Sequence, residues 1–263
     1  MAQHEATTAA RTNGATRTGA GTGAGTGPGR AHSRLRLLGT FQLEGADGTV
    51  TVPANAQRLL AFLGLHKRAP RTVVAGALWP DVTEEHAHGS LRTALWRLRR
   101  GRQPIVGTHG DTLCLADGVI VDVDAFNRAA LGLANSDHAP GDDLPLPVVL
   151  DGGELLCGWD EEWVLFERER LRQLRLHALE SLSALLTEHG RYALALEAAL
   201  MCVTVEPLRE SAHRAVAAVH LAENNMVEVV RRYETFRMLI NEELGLEPSA
   251  RFAGMLPRRG RGT

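Results

Sequence analysis

Residues 87–100 run Ala87-His88-Gly89-Ser90-Leu91-Arg92-Thr93-Ala94-Leu95-Trp96-Arg97-Leu98-Arg99-Arg100. Leu91, Leu95 and Leu98 recur at helical spacing and predict a face that packs inward. Thr93 and Arg97, four residues apart, share another face, with Arg92, Trp96 and Arg99 on a flank between. One helix, expected over residues 84–100, thus offers an apolar stripe and a basic stripe. A helix fits the major groove of B-DNA, where each base pair shows a distinct pattern of donors and acceptors. Arg97 can fork onto guanine. Thr93 can offer its methyl to thymine or bond a base edge. Arg99 and Arg100 suit phosphates, which position a protein without specifying sequence. A solvated basic face is the other explanation of such a cluster, and the neighbouring elements bear on the choice.

Upstream, residues 34–38 alternate apolar and polar side chains, as a half-buried strand does, and Phe41 and Leu43 continue it. Ala46-Asp47-Gly48 is a turn, and residues 49–52 read as a return strand. Asn55 is a candidate cap for a helix carrying Ala56, Leu59, Leu60 and Leu63. Pro70 separates it from a second helix over residues 72–79. Trp79-Pro80-Asp81 ends that helix, because the residue before a proline avoids the helical region. Downstream, Gly101 and Pro104 stop the third helix. Ile105-Val106, a polar turn over residues 107–111 and Leu113-Cys114-Leu115 read as a hairpin. His109 at its tip can enter the minor groove or meet a phosphate, an inert turn histidine being the alternative. Sheet, three helices and hairpin is the layout of a winged helix-turn-helix, and it weighs against a merely solvated face.

Charge agrees. Residues 34–103 hold 11 basic and 5 acidic side chains, +6; residues 104–263 hold 15 and 25, −10. A basic module joined to an acidic one points to a polyanion for the first alone. Aromatics are only 5% of the 263 residues, so the cores rest on Leu, Val and Ala, which favours helices over a large sheet. No apolar run approaches the ~18 residues of a membrane span. The N-terminus has no apolar secretory segment, so a cytoplasmic protein, at the nucleoid when DNA-bound, is expected. Residues 1–33 are rich in Ala, Thr and Gly and predict a disordered tail, with a second short tail at 258–263. Three cysteines at wide spacing give no disulfide framework and no metal pair. His86 and His88 are two apart and do not share a helix face, and Cys157 has no evident histidine partner. No catalytic residue, metal or cofactor is expected.

The second half reads as helices over residues 163–189, 192–203, 208–221 and 227–243, with a short one through Leu256; residues 131–151 read as irregular. Gly190 and Gly245 stop helices, and Asn224-Asn225 breaks another, since Asn tolerates the left-handed conformation. Gly190-Arg191-Tyr192 leading to Glu206-Pro207, and Asn224-Asn225-Met226 leading to Glu247-Pro248, form an imperfect repeat of tetratricopeptide-type hairpins.

These residues resemble the Streptomyces antibiotic regulatory protein family of transcriptional activators. The first domain contributes Gln57-Arg58-Leu59-Leu60, Ala77-Leu78-Trp79 and residues 91–100. The second contributes Gly190-Arg191-Tyr192, Glu206-Pro207-Leu208-Arg209-Glu210 and Glu242-Glu243-Leu244-Gly245-Leu246-Glu247-Pro248-Ser249. The resemblance implies an OmpR-type winged helix-turn-helix over residues 34–126 and an all-α, tetratricopeptide-like bacterial transcriptional activator domain over 127–257. It implies that Ser90, Thr93, Ala94 and Arg97 face bases or nearby phosphates and that Arg99 meets the backbone. It implies binding to direct repeats near the −35 region, self-association on DNA as a dimer, and contact with RNA polymerase holoenzyme through Trp79, Pro80, Asp81, Val82, Thr83 and Glu84. A pathway-specific regulator of antibiotic biosynthesis is the expected role; a repressor or a helical scaffold is the alternative. The wing departs from the family, reading His109-Gly110-Asp111 in place of a glycine run and an aromatic. The phosphate-binding loop G-x-x-x-x-G-K-[ST] of larger relatives does not occur, nor does a receiver domain.

Overall fold

The computed structural model describes residues 33–99, 104–135, 146–150 and 152–257. The expected tails, Ser33 apart, lie outside these residues, as does Arg100. Alternation of buried Leu35 with exposed Arg34 and Arg36 makes β1 (Ser33–Arg36). It pairs antiparallel with β2 (Gln42–Gly45), Leu35 opposite Leu43, and β2 turns through Gly48 into β3 (Gly48–Thr49). Across this sheet lies α1 (Ala54–His66), burying Ala56, Leu59, Leu60 and Leu63. Its approach is close: a Cβ on Gly64 would stand 3.0 Å from Leu37 and 3.1 Å from Leu35, too near for any other residue without displacement. The cap is Pro53 and not Asn55, which falls exposed inside the helix. Proline's fixed φ suits a helix entrance, and its missing N–H would go unpaired there anyway.

The second sheet is built from β4 (Arg68–Pro70), β5 (Val106–His109) and β6 (Thr112–Leu115), in the order β4-β6-β5 and antiparallel throughout. The sequence reading has no β4; it is an edge strand, where Pro70 is tolerated. Between the strands run α2 (Arg71–Leu78) and α3 (Glu84–Leu98). Then β7 (Val119–Val121) returns to the first sheet, parallel to β1 with Val121 opposite Leu35. This is the winged helix-turn-helix.

Two helices enter the expected irregular stretch, α4 (Asp122–Ala134) over its first four residues and α5 (Leu146–Leu150) near its end; residues 136–145 and 151 lie outside the described residues. Val123, Phe126, Ala130 and Leu133 form a buried helical stripe on α4, and that stripe, not the neighbouring Gly and Asp, decides the conformation. The boundary expected between residues 126 and 127 therefore falls inside one continuous helix. The Asp122 carboxylate opens α4 and accepts from the backbone amides of Leu37 (2.9 Å), Leu38 (3.0 Å) and Val123 (2.8 Å). Burial raises its pKa against the pull of these donors and of Arg36.

The all-α half is α6 (Glu162–Glu188), α7 (Tyr192–Val205), α8 (Glu210–Ala222), α9 (Met226–Leu244) and the short α10 (Ala250–Ala253). It is welded to the winged helix. Leu38 bridges Leu155, the amide of Leu156 donates to Leu37 O (2.8 Å), and that of Cys157 donates to Gly39 O (2.7 Å). Phe62 meets Trp163 edge-on at 5.4 Å, Phe41 stacks near Trp159, and Arg58 pairs with Glu161 at 2.8 Å. One unbroken core runs from Leu35 to Val219.

The two repeats end their first helices alike. Gly190 (φ 68°) and Asn224 (φ 60°) are both left-handed. The next amides, Arg191 and Asn225, each reach back five residues, to Leu186 O and His220 O, both at 2.8 Å. The glutamates that follow also act alike: Glu206 pairs with Arg172, and Glu247 with Arg237 at 2.8 Å.

A smaller cluster of Ala217, Val229, Phe236, Ile240 and Phe252 closes the far end. His213 is buried against Phe236 (4.4 Å), with Nε2 bonded to Pro207 O at 2.9 Å. Burial, aided by Arg232, lowers its pKa, although the Pro207 bond opposes this. A depressed histidine costs nothing above its unfolded pKa of about 6.5, where both states are neutral. Below that the unfolded chain takes the proton first, so stability falls as pH drops through the folded value. Urea midpoints at pH 7.5 and 5.5 should show this loss, and His213→Gln, which keeps a donor but does not titrate, should show less of it.

Among the described residues no helix is long and apolar enough to cross a membrane. Cys114 and Cys202 are buried and Cys157 is exposed, all unbridged; burial pushes the Cys202 thiol up to about 12.

Candidate nucleic-acid interface

Residue spacing sets the orientation of α3. Ala87, Leu91, Ala94, Leu95 and Leu98 are buried, and they anchor it against α1 and α2. Arg92, Thr93, Trp96, Arg97 and Arg99 are exposed on the opposite side, and Ser90 is half-buried beside them. Ala94 is the correction: it is 1% exposed, so it cannot face bases. Being three residues from Leu91 and four from Leu98, it belongs to the apolar stripe. Trp96, 54% exposed, puts an indole on the basic face, where a soluble helix would ordinarily carry a polar residue. Thr93 Oγ1 donates to Gly89 O at 3.0 Å. Its hydroxyl proton is thus spent on the backbone, leaving the methyl and oxygen lone pairs to the outside.

The wing is the β5–β6 turn. His109 is exposed at its edge, paired in register with Thr112, and Gly110 turns the chain at φ 59°. Asp111 ties the wing to α2: its carbonyl accepts from the Arg71 amide (3.0 Å), and its carboxylate lies 3.8 Å from Arg71 Nε. Arg68, exposed on β4 opposite Cys114 of β6, adds a cation to the same sheet. Sequence reasoning did not single out Arg68 or Arg71, because their strand-edge setting depends on β4.

The α2–α3 connection stands apart from this face. Trp79, Pro80, Asp81 and Val82 line a groove of about 700 Å³ whose other wall is the start of α6. Thr83 caps α3 by backbone, its Oγ1 2.7 Å from His86 Nδ1, and Glu84 sits 3.7 Å from His88.

Comparison with known proteins bears on both halves. The family described as "Bacterial transcriptional activator domain" matches residues 148–255. The regulatory protein AfsR of Streptomyces coelicolor is 26% identical over 215 residues, covering 77% of this chain and 22% of that protein. AfsR of Streptomyces griseus is 25% identical over 237 residues, covering 86% and 24%. The chain thus spans less than a quarter of the length of these curated relatives. A solved structure, "Mycobacterium tuberculosis EmbR in complex with low affinity phosphopeptide", shares the fold with a TM-score of 0.67 at 15% identity, over 86% of this chain and 64% of that one. The architecture is therefore a winged helix-turn-helix fused to a segment that matches the bacterial transcriptional activator domain, and the class it resembles is that of bacterial transcriptional regulators. Within that class the resemblance to the Streptomyces antibiotic regulatory protein family holds, on the activator domain and on the similarity to both AfsR proteins.

Proposed function

We propose that this chain is a sequence-specific activator that binds double-stranded promoter DNA through α3 and recruits RNA polymerase holoenzyme. The observation that carries the reading is the two-sided α3: a fully buried stripe fixes it, and Arg92, Thr93, Trp96, Arg97 and Arg99 stand exposed together. Arg97 forks onto guanine, the Thr93 methyl faces thymine, and Arg99, Arg100 and His109 meet phosphates. The DNA-binding module ends within the segment from β7 to α4, and the activator module follows. Direct repeats near the −35 region seat two copies side by side, each with its α2–α3 connection, Trp79 to Glu84, toward polymerase. By its likeness to the AfsR regulators, the chain serves as a pathway-specific regulator of secondary metabolism.

Footprinting over the gene neighbourhood, with and without polymerase, tests this together with transcription in vitro. A protected pair of direct repeats and a stimulated transcript are expected. Protection with a blocked transcript would make the chain a repressor, and no protection anywhere would refute the reading of α3.

A further inference from the structure

A cleft of about 510 Å³ lies where the two halves meet, among α4, α6, the end of α7 and residues 153–155. Its apolar lining comes from Leu38, Phe126, Leu155, Leu165, Leu171 and Val205, with Leu165 47% exposed. A volume of this size, mostly apolar with a few fixed polar groups, suits a small molecule, and such sites favour domain boundaries. Three arginines of α6 also line it, Arg168, Arg172 and Arg175, spaced so that they share one side of the helix. Arg172 is divided between Glu169 and Glu206, and Arg175 is held by the carbonyls of Leu150 and Gly152. The bonds from Arg172 and Gln173 hold Glu169 down at about 2, so that carboxylate stays ionised and tied to Arg172.

Arg168 differs. Its Nε donates to Leu155 O (2.9 Å), and its Nη2 donates to Leu156 O (2.8 Å) and Trp159 O (2.9 Å). Those bonds lock the guanidinium, while Nη1 meets no acceptor among the described residues. The side chain is only 17% exposed. Glu154 lies 3.2 Å from Nε, on the edge already occupied, and is 58% exposed, where water screens it. A cationic donor that is fixed in place and set beside apolar walls is matched by an anionic oxygen on an apolar body. We infer that this cleft binds a small amphipathic carboxylic acid, its carboxylate on Arg168 Nη1 and its apolar body against Leu38, Leu165 and Val205. A ligand so placed touches the winged helix through Leu38 and the helical half through α6 and α7. It therefore stabilises their junction, by an amount that grows with its concentration.

The test titrates the full chain with decanoate, below its micellar concentration, and with decanol, which has the same apolar chain and no charge. Isothermal titration calorimetry and thermal unfolding are the readouts. Decanoate is expected to saturate one site and to raise the melting temperature, with decanol at least about tenfold weaker. Leu165→Glu leaves the bonds of Arg168 in place and puts a like charge beside the carboxylate. It is expected to weaken decanoate at least about tenfold, while the unliganded variant melts as the parent does. Arg168→Met should abolish the preference for decanoate over decanol, a ratio that a general loosening of the fold would not change. Absence of saturable decanoate binding, or equal binding of decanol by the parent, overturns the inference. So does a decanoate affinity unmoved by Leu165→Glu, or a preference that survives Arg168→Met.

Discussion

Arg97→Ala is expected to weaken binding to the target promoter by about 5- to 150-fold, the equivalent of about 1–3 kcal/mol for a bidentate guanine contact. The side chain is exposed on α3, so its loss leaves the packed stripe of Leu91, Ala94, Leu95 and Leu98 untouched. The loss should therefore be one of specificity. Arg97→Lys separates the two roles of the residue: it keeps the charge, and with it most of the salt-dependent affinity, but gives up the planar fork. Titrations at one fixed salt concentration, on the promoter and on unrelated DNA, measure both quantities. Glu188→Ala, exposed at the far end of α6, should bind as the parent does. Parent-like specific binding by Arg97→Ala would remove Arg97 from the bases.

Asp122→Ala should cost on the order of 3 kcal/mol of stability. Its carboxylate holds the amides of Leu37 and Leu38, and each partly buried donor left unpaired costs about 1–3 kcal/mol. The carboxylate also opens α4, where a negative charge favours the helix start. Alanine removes both effects at the point where the chain passes from one half to the other. Asp122→Asn, with one acceptor oxygen and a poorly placed NH2 group, should fall between the two. Urea denaturation followed by circular dichroism ranks the three proteins. Promoter affinity should fall for Asp122→Ala only near its unfolding transition, because the Asp122 carboxylate bonds the amides of Leu37, Leu38 and Val123 and not the exposed residues of α3. A midpoint equal to the parent's would mean that water replaces the carboxylate at both amides.

Much of this architecture is legible in the sequence because its long helices repeat every 3.6 residues. Leu91, Leu95 and Leu98 fix α3, and the left-handed helix ends at Gly190, Asn224 and Gly245 lie where glycine and asparagine are expected to place them. The same periodicity, pursued one position further, puts Ala94 inside. It also marks α4 through Val123, Phe126, Ala130 and Leu133, a signal that Gly, Pro and Asp in the following stretch obscure. The three-residue strands β4 and β7 carry no such pattern, since so short a strand is decided by its partner across the sheet. Phe166 was beyond reach for a related reason. On α6 alone it is one more apolar residue; only the docking of α6 beside Trp79 and Val82 turns it into the wall of a groove.

The core that passes without a break from Leu35 to Val219 sets the unit that can be exchanged between regulators. A graft cut at residue 126 would sever α4 and strip Phe62 and Leu38 of their coverage, so hybrids joined there should misfold rather than switch targets. Under the proposed function, re-addressing the chain to a new promoter would be a matter of changing the outward side chains of α3 in place. The weld carries a second consequence for the proposed function: with α3 on DNA, the angle between the duplex and the helical half would be built in, and activation should vary with the spacing of site and promoter in whole turns of the double helix.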